Sequence, residues 1–442
     1  MIRRIRAPER AKMAIFYDLI FFIAAVIYIP IYLFKKKFHR GFLLRLGFLP
    51  RDLTLNRPIW LHAVSVGEAM AVRGLVEELR NIYPDKRFVI STVTPTGNKI
   101  AKSIASENDC VTYLPLDFSF IVKAVIDKIN PGLFIIAETE IWPNLLSYLY
   151  KKNIPIFVVN GRISDRSFGG YLAIKFLVRP ILNKITLFCV QTQRDAERLI
   201  RLGVSGDKIR VTGNMKFDIK DYADFKKDYT DYRLKLGLGS QEKLFIAAST
   251  HPGEEEIILG TYKELLNEFP FLRLLIAPRH PERTLQIIKL IKKFDFESMR
   301  ISVFDRQTAK PENPQTIFIL DTVGQLMSFY AVSDIVFVGG SLTKIGGHNI
   351  LEPASLGKPI ILGPYMFNFR DIADSFLKHN ACVLVSNKAE LKRSIKELLH
   401  HPYKIEELGK KAKDLIVENQ GATRRNLELI RSLWQELTSF NR

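Results

Sequence analysis

Residues 339–364 read GGSLTKIGGHNILEPASLGKPIILGP, and this stretch decides the fold. An apolar run at residues 334–338 precedes it and predicts a buried strand. Paired glycines follow, and they predict a loop whose backbone can approach a ligand closely. A second apolar run, residues 360–362, predicts the next strand. Strand, glycine-rich loop, helix and strand in series indicate a nucleotide site in an α/β domain, whereas two glycines alone would indicate a plain turn.

The helix predicted inside this stretch begins near Asn349, which can cap it. A helix N-terminus behind a glycine loop attracts anions, because its free N–H groups and its dipole point at the ligand. Glu352 lies in the first turns of the helix, where a carboxylate can accept hydrogen bonds from a ribose. We therefore predict that a phosphate and a ribose bind here.

The composition limits the classes of protein to which this chain can belong. The 442 residues suffice for two domains, and a hydrophobic content of 47% supports a full core and excludes a disordered chain. A net charge of +19 predicts an acidic partner, either nucleic acid, anionic lipid or a phosphorylated substrate. The cysteines stand far apart and no HExxH or Asp-x-Asp motif occurs, which argues against a metal site and against a disulfide framework.

The N-terminal segment, residues 1–45, is predicted to be a membrane anchor. Residues 13–34 are almost wholly apolar, apart from Asp18 and Pro30, and basic residues flank them on both sides. This length is about enough to span a bilayer as a helix. A shallow helix in the membrane interface is the alternative, because Asp18 and Pro30 interrupt the apolar run.

Apolar runs alternate with helical patterns along the rest of the chain, which predicts parallel sheets covered by helices. We expect two Rossmann-like doubly wound domains, at residues 46–220 and 221–425, joined by a polar connection at residues 218–239. Residues 426–442 predict a helix that packs back on the first domain. Strands are predicted at residues 59–64, 88–92, 111–114, 133–137, 156–159, 187–190 and 209–212, and then at 244–248, 272–277, 316–320, 335–338, 360–362 and 382–385.

Charged residues follow three strands of the first half, at the sheet edge where ligands of such domains bind. Glu68 after the first strand is a candidate general base, or only a partner of the helix dipole. Glu138 and Glu140 surround the tip of another strand, where two carboxylates are unusual for a plain turn. Lys216 can meet a phosphate or a sugar carboxylate, or can be a solvated loop lysine.

The second half carries its own motifs at strand ends. Ser249 and Thr250 can cap the helix that begins with three glutamates or bond a phosphate beside it, and for Thr250 we expect capping. Arg279 is placed to pair with a phosphate, while His280 can either contribute to the site or pack within its loop. The turn at residues 321–326 can bind a base edge through backbone groups.

Taken in order, these motifs resemble those of the 3-deoxy-D-manno-octulosonic acid (Kdo) transferases of lipopolysaccharide assembly. The resemblance rests on HAVSVGE, ETEIWPN, NGRIS, GNMKFD, STHPGEEE, APRHPER and the glycine-rich stretch, which together run from residue 62 to residue 364. It implies a glycosyltransferase of the GT-B type, with the two domains facing a cleft. It also implies CMP-Kdo as donor, a lipid A precursor as acceptor, and an enzyme on the cytoplasmic side of the inner membrane that needs no cofactor and no metal.

The resemblance assigns roles to residues by motif position. Glu68 is similar to the catalytic base of the family, and Glu138 and Lys216 to its transition-state stabilisers. The residues similar to the family's CMP contacts are Pro278, Arg279, Val323, Gly324, Gln325, Asn349, Ile350, Leu351 and Glu352.

Two alternatives belong to other classes. A nucleotide-sugar epimerase of the same fold is disfavoured by the N-terminal segment and by SVGE. A basic, membrane-anchored protein that binds nucleic acid or lipid is allowed by the charge, but it has no need of ordered carboxylate motifs. We therefore expect an anionic membrane, and no nucleic acid, among the partners.

Overall fold

The structure is a computed structural model that describes residues 17–19, 21–23, 26, 41–50, 53, 55–218, 232–234, 236–303 and 313–439. The chain divides into two compact units. The first consists of Met1–Asp218 together with Gln420–Arg442, and the second of Ile219–Asn419.

The first unit is built on a seven-stranded sheet whose pairs are all parallel. Its strand order is β3-β2-β1-β4-β5-β6-β7, so the chain winds outward in one direction from β1 and then in the other from β4. This reversal between β1 and β4 is the switch point of a doubly wound sheet. The strands are β1 Ile59–His62, β2 Phe88–Thr92, β3 Cys110–Tyr113, β4 Leu133–Ala137, β5 Ile156–Gly161, β6 Leu187–Val190 and β7 Ile209–Val211.

Helices cover both faces of this sheet, because its central strands are buried on both sides and read as continuous apolar runs. One apolar core contains Trp60 and Phe134, and the other contains Leu61 and Phe157. The helices are α1 Phe42–Arg45, α2 Val66–Ala71, α3 Arg73–Ile82, α4 Pro95–Ile104, α5 Ser119–Ile129, α6 Pro143–Lys151, α7 Asp165–Ala173, α8 Lys175–Leu182 and α9 Gln193–Leu202.

The second unit repeats the architecture with the order β10-β11-β9-β8-β12-β13-β14, again all parallel. Its switch point lies between β8 and β12. The sequence did not predict β10, because Ser298–Arg300 is short, half-buried and has no apolar run. The strands are β8 Lys243–Thr250, β9 Leu272–Pro278, β10 Ser298–Arg300, β11 Ile317–Ile319, β12 Ile335–Val338, β13 Ile360–Leu362 and β14 Val383–Leu384.

The helices of the second unit again separate the strands. The longest of them, Pro402–Asn419, leads the chain out of the unit. They are α10 Glu254–Leu266, α11 Thr284–Lys293, α12 Leu326–Val332, α13 Leu351–Ser355, α14 Arg370–Lys378, α15 Lys388–His400 and α16 Pro402–Asn419.

The last helix, α17 Ala422–Ser439, belongs to the first unit. Its Trp434 ring packs edge-to-face on Tyr83, with 4.9 Å between ring centroids. The sequence places this return at residue 426, whereas the structure places it at Gln420. Asp218 fixes this earlier return of the chain, because its carboxylate accepts hydrogen bonds from the backbone N–H groups of Gly421 and Thr423.

Most of the predicted membrane segment, residues 13–34, lies outside the described residues. No helix in the described part of the chain combines the length and the apolar character needed to cross a bilayer. Asp18, which interrupts the apolar run, is described. Its carboxylate accepts hydrogen bonds from the backbone N–H of Ser119 at 3.1 Å and from the Asn144 amide at 2.7 Å.

Candidate active site

The first half-site lies at the switch point of the first sheet. β1 and β4 are neighbours there, so the loops that follow them meet at the same edge. Glu68 lies in α2, directly after β1, and Glu138 follows β4 immediately. The topology therefore brings together two carboxylates that the sequence placed after separate strands.

Glu68 combines a structural contact with an unusual acidity. Its carboxylate accepts hydrogen bonds from the Val64 backbone N–H at 2.6 Å and from the Ser65 hydroxyl at 3.0 Å. Burial and, to a lesser extent, the negative charge of Glu138 raise the pKa of Glu68 to about 7, although the two hydrogen bonds act in the opposite direction. A carboxyl group with this pKa is half ionised near neutrality, which suits a general base.

Glu138 is held in a constrained position. Its backbone has φ of +60°, the left-handed region, and its N–H donates to the Val159 carbonyl at 2.9 Å. A non-glycine residue with positive φ is uncommon and is often found at functional sites. The Glu138 carboxylate accepts a hydrogen bond from the Lys216 ammonium at 3.1 Å, and both side chains are about one-quarter exposed.

Lys216 reaches this point although it follows β7, the edge strand of the sheet. Asn160, at the end of β5, makes this possible, because its side-chain oxygen accepts a hydrogen bond from the Met215 backbone N–H at 2.9 Å. The chain after β7 is thereby tied back towards the centre of the sheet edge.

Glu140 adds a third carboxyl group to the half-site. Burial raises its pKa, and the negative charge of Glu138 contributes. Glu140 in turn contributes to the raised pKa of Glu68. The first half-site is therefore a group of mutually repelling carboxyl groups with Lys216 as a counter-charge.

The second half-site lies in the second unit, around its own switch point. Arg279 follows β9, and among the described residues its guanidinium has no hydrogen-bond partner. Glu352 accepts a hydrogen bond from the Asn349 amide at 3.1 Å. Burial raises the pKa of Glu352, while Asn349 and the positive charge of Arg279 counteract the rise. Arg279, Asn349 and Glu352, all predicted nucleotide contacts, therefore form one group.

The other predicted nucleotide contacts differ in what they can offer. Ile350 and Leu351 have buried side chains, so only their backbone groups remain for a ligand. Pro278 is the buried last residue of β9. Val323 and Gly324 are exposed, with φ of +94° at Gly324. The last of these contacts is Gln325, whose side-chain oxygen accepts a hydrogen bond from Thr322 at 2.6 Å and which begins α12.

The first N–H groups of the glycine-rich loop are used within the second unit. The fully buried carboxylate of Glu254 accepts hydrogen bonds from the backbone N–H groups of Gly340, Ser341 and Leu342 at 2.7–3.0 Å. The N–H groups of Gly346 and Gly347 donate to the Gly340 carbonyl. These N–H groups of the loop therefore have acceptors inside the protein.

Close packing within the unit requires glycine at two positions of this loop. A Cβ atom at Gly339 would stand 2.5 Å from the Ser249 carbonyl oxygen, and one at Gly347 would overlap the Met366 sulfur. Thr250 also departs from its expected role. Its hydroxyl donates to the Glu255 carboxylate at 2.9 Å, while Gly253 occupies the N-cap of α10.

Sequence reasoning missed two histidines at the second switch point. His251 follows β8 and His348 lies in the glycine-rich loop, and their Nε2 atoms are 2.8 Å apart in a hydrogen bond. The two ring planes are nearly parallel, with an interplanar angle of 6°. The available signal was the presence of a histidine after each of two strands that flank a switch point. Within the described residues, no group of three or more histidine, cysteine or acidic side chains could hold a metal ion.

Comparisons with known proteins agree on one family. The family model of 3-deoxy-D-manno-octulosonic-acid transferase (kdotransferase) matches residues 40–219. The 3-deoxy-D-manno-octulosonic acid transferase of Haemophilus influenzae is 38% identical over 376 residues, which cover 84% of this chain and 86% of that protein. The transferase of the same name from Chlamydophila psittaci is 30% identical, with 89% of this chain and 90% of that protein covered.

A solved structure extends the comparison to the fold. A putative UDP-N-acetylglucosamine 2-epimerase from Listeria monocytogenes matches 86% of this chain and 97% of its own, with a TM-score of 0.53 and 13% identity. At this identity the likeness concerns the architecture of two parallel α/β units alone. The identities of 30% and 38% over most of the chain decide the family. The chain belongs to the 3-deoxy-D-manno-octulosonic acid transferases.

Proposed function

We propose that this enzyme transfers Kdo from CMP-Kdo to a lipid A precursor, with inversion at the anomeric carbon. The observation that best supports this proposal is the state of Glu68, a half-buried carboxyl group with a pKa of about 7 beside Glu138. A base of this kind is needed when a sugar hydroxyl attacks an activated sugar. Family membership supplies the sugar, and the cytidine nucleotide and the lipid acceptor are the proposed parts.

In the proposed reaction Glu68 takes the proton of the acceptor hydroxyl as the oxygen bonds to the anomeric carbon. The bond from that carbon to the CMP oxygen breaks, and its electron pair leaves with CMP. The transition state carries positive charge at the sugar, as in other glycosyl transfers. The Glu138 carboxylate, held by Lys216 at 3.1 Å, is a fixed negative group suited to stabilise that charge.

CMP leaves as a phosphate monoester, so no diphosphate has to be clamped by Mg²⁺. Arg279 is the side chain proposed to neutralise the leaving phosphate, because its guanidinium has no partner among the described residues. Glu352 is proposed to accept hydrogen bonds from the ribose. A transfer assay in the presence of EDTA tests the metal independence, and a loss of activity restored by Mg²⁺ would contradict it.

We also propose that the enzyme works on the cytoplasmic face of the inner membrane. The first unit exposes large apolar side chains, and basic residues lie next to them in the sequence. This combination suits an anionic lipid surface. The exposed apolar residues include Leu43 and Phe48 near Arg45, and Phe176 beside Lys175.

The decisive experiment is incubation of the purified protein with CMP-Kdo and lipid IVA, followed by mass spectrometry of the lipid. We expect a mass increase of one or more Kdo units together with CMP release. No product under conditions in which a known Kdo transferase is active would overturn the proposal. An assay with a UDP-sugar in place of CMP-Kdo would detect epimerisation and serves as the comparison.

A further inference from the structure

The second switch point carries an imidazole pair for which the proposed mechanism has no role. His251 is only 8% exposed, and His348 is half-buried opposite it. Their mutual hydrogen bond of 2.8 Å uses the Nε2 atom of each ring. The Nδ1 atoms remain for an outside partner, and within the described part of the chain neither of them has one.

Three backbone N–H groups of the glycine-rich loop are already engaged within the protein. In a doubly wound sheet the ligand binds beyond the carboxyl ends of the strands at the switch point. Here the N–H groups of the glycine-rich loop, from Gly340 to Leu342, donate to the buried Glu254 carboxylate. An anion that arrives at this edge must therefore find donors other than these three N–H groups.

Proton counting shows what the imidazole pair can supply. In the neutral pair one ring donates its Nε2–H to the other, so only one of the two Nδ1 atoms carries a hydrogen. One added proton places a hydrogen on both Nδ1 atoms, while the proton between the Nε2 atoms is kept. The protonated pair thus presents two N–H donors and one positive charge to an anion. A second added proton would break the pair.

The surroundings keep this pair neutral until an anion arrives. Burial and the neighbouring His251, Arg279 and His280 lower the pKa of His348 to about 4. Burial also lowers the pKa of His251. The nearby carboxylates do not compensate, because Glu254 is committed to the loop and Glu255 pairs with Arg283 at 2.9 Å. The charged groups that face the pair are Arg279, His280, Arg283, Glu254, Glu255 and, through Asn349, Glu352.

We infer that the His251–His348 pair binds the phosphate of the donor nucleotide by taking up one proton from solvent, alongside the guanidinium of Arg279. The inference rests on the proposed function, because it assumes that a nucleotide occupies this edge. It assigns two binding residues that the motif analysis did not include. Charge-assisted hydrogen bonds from an imidazolium are roughly twice as strong as neutral ones, so the proton strengthens binding where it is needed.

Calorimetric titration with CMP in buffers of different ionisation enthalpy tests this inference, because it counts the protons taken up per ligand bound. We expect His348→Phe to bind CMP about 10- to 100-fold more weakly than wild type. We also expect it to take up fewer protons at pH 6.5. The difference between the two proteins isolates the imidazole proton, since the proton exchange of the phosphate itself is common to both.

Two further variants separate charge from structure. The double variant His251→Gln/His348→Gln keeps two side chains that can hydrogen-bond to each other but cannot be protonated, so it should lose the proton uptake while its thermal unfolding midpoint stays near that of wild type. His401→Gln is the matched control, because His401 is exposed and its ring contacts His400 and Tyr403 rather than the imidazole pair. It should behave as wild type.

The outcomes are distinguishable. Wild type that fails to bind CMP would overturn the proposed function. CMP binding with the same proton uptake in wild type and in the double variant His251→Gln/His348→Gln would overturn only the inference about the imidazole pair. Proton uptake with free Kdo, which has a carboxylate and no phosphate, but not with CMP, would assign the pair to the sugar and also overturn the inference.

Discussion

The two units share one sheet topology and carry opposite chemistry at their switch points. In the first unit the loops after β1 and β4 bring carboxyl groups together, with raised pKa values at Glu68 and Glu140. In the second unit the corresponding loops after β8 and β12 bring together imidazoles with lowered pKa values, at His251 and His348.

The difference shows that the topology selects the place and the loops select the chemistry. Burial acts in both units, and it favours the neutral form of whichever group is present. A carboxyl group there gains a raised pKa, which suits the proposed role of Glu68 as a base. An imidazole there becomes a neutral group that gains a proton only with an anion. The following predictions test this contrast, from the largest expected effect to the smallest.

Removal of the first unit's base should have the largest effect. Glu68→Gln keeps an oxygen that can accept from the Val64 N–H, but it cannot take a proton. We expect kcat to fall by about 10²- to 10⁴-fold, the usual contribution of a general base. CMP affinity should not change, because the proposed nucleotide contacts lie in the second unit. Steady-state kinetics and CMP titration measure both.

Glu78→Gln is the control for that variant, since Glu78 is an exposed glutamate on the neighbouring helix α3. It should retain the wild-type kcat. A Glu68→Gln enzyme with kcat within twofold of wild type would show that Glu68 is only a helix-capping residue.

Removal of the internal carboxylate of the second unit should mainly affect stability. Glu254→Ala leaves the N–H groups of Gly340, Ser341 and Leu342 without their acceptor in a buried loop. Unsatisfied buried groups cost about 1–3 kcal/mol each, so we expect a loss of roughly 3 kcal/mol in the free energy of unfolding of this unit. Denaturant titration measures the loss, and hydrogen exchange of residues 340–342 should quicken.

Glu256→Ala is the matched control on the same helix. Glu256 is exposed and accepts one hydrogen bond, from the Gly253 N–H at 3.1 Å, so its removal should cost about 1 kcal/mol or less. Equal costs for the two variants would refute the special role of Glu254.

The proposed contact between Glu352 and the ribose should affect CMP affinity and the preference for CMP over 2′-deoxy-CMP. Glu352→Gln should bind CMP about tenfold more weakly than wild type, because a hydrogen bond to a charged acceptor is lost. The preference for CMP over 2′-deoxy-CMP should shrink in parallel. Glu282→Gln, an exposed change close to Arg279, is the control. An unchanged preference in Glu352→Gln would remove Glu352 from the ribose site.

The smallest effect concerns the pH profile of the first unit. Glu68 must be ionised to act as a base, so kcat/KM should fall tenfold per pH unit below a pKa of about 7. The negative charge of Glu138 raises that pKa, so Glu138→Gln should move the acid limb to lower pH by less than about one unit. Glu140→Gln should move it less. A limb that stays in place would show that Glu138 does not tune the base.

Much of the fold was predictable because its signals are local. Central strands such as Leu133–Ala137 and Ile335–Val338 are buried on both sides and therefore appear as apolar runs with clear ends. Ser298–Arg300 was not predicted, because an edge strand with half-buried polar residues carries no such signal. The predicted anchor at residues 13–34 lies mostly outside the described residues and stays a prediction.

The candidate site was only partly predictable. Glu68 and Glu138 stand at strand ends, so their shared location follows from the alternation of strands and helices. The contact between Lys216 and Glu138 does not follow, because Lys216 comes after the edge strand and is brought back through Asn160. The use of Glu254 was likewise hidden, because a glutamate in the first turn of a helix usually serves that helix.

The sequence by itself determined the order of strands and helices and the kinds of side chain that follow each strand, since apolar periods and turn residues act over a few neighbouring positions. Only the tertiary structure decided which of those side chains meet. Lys216 with Glu138, His251 with His348, and Glu254 with the glycine-rich loop are contacts between segments far apart in the chain. The winding of the sheet creates such pairs, and burial then sets their protonation.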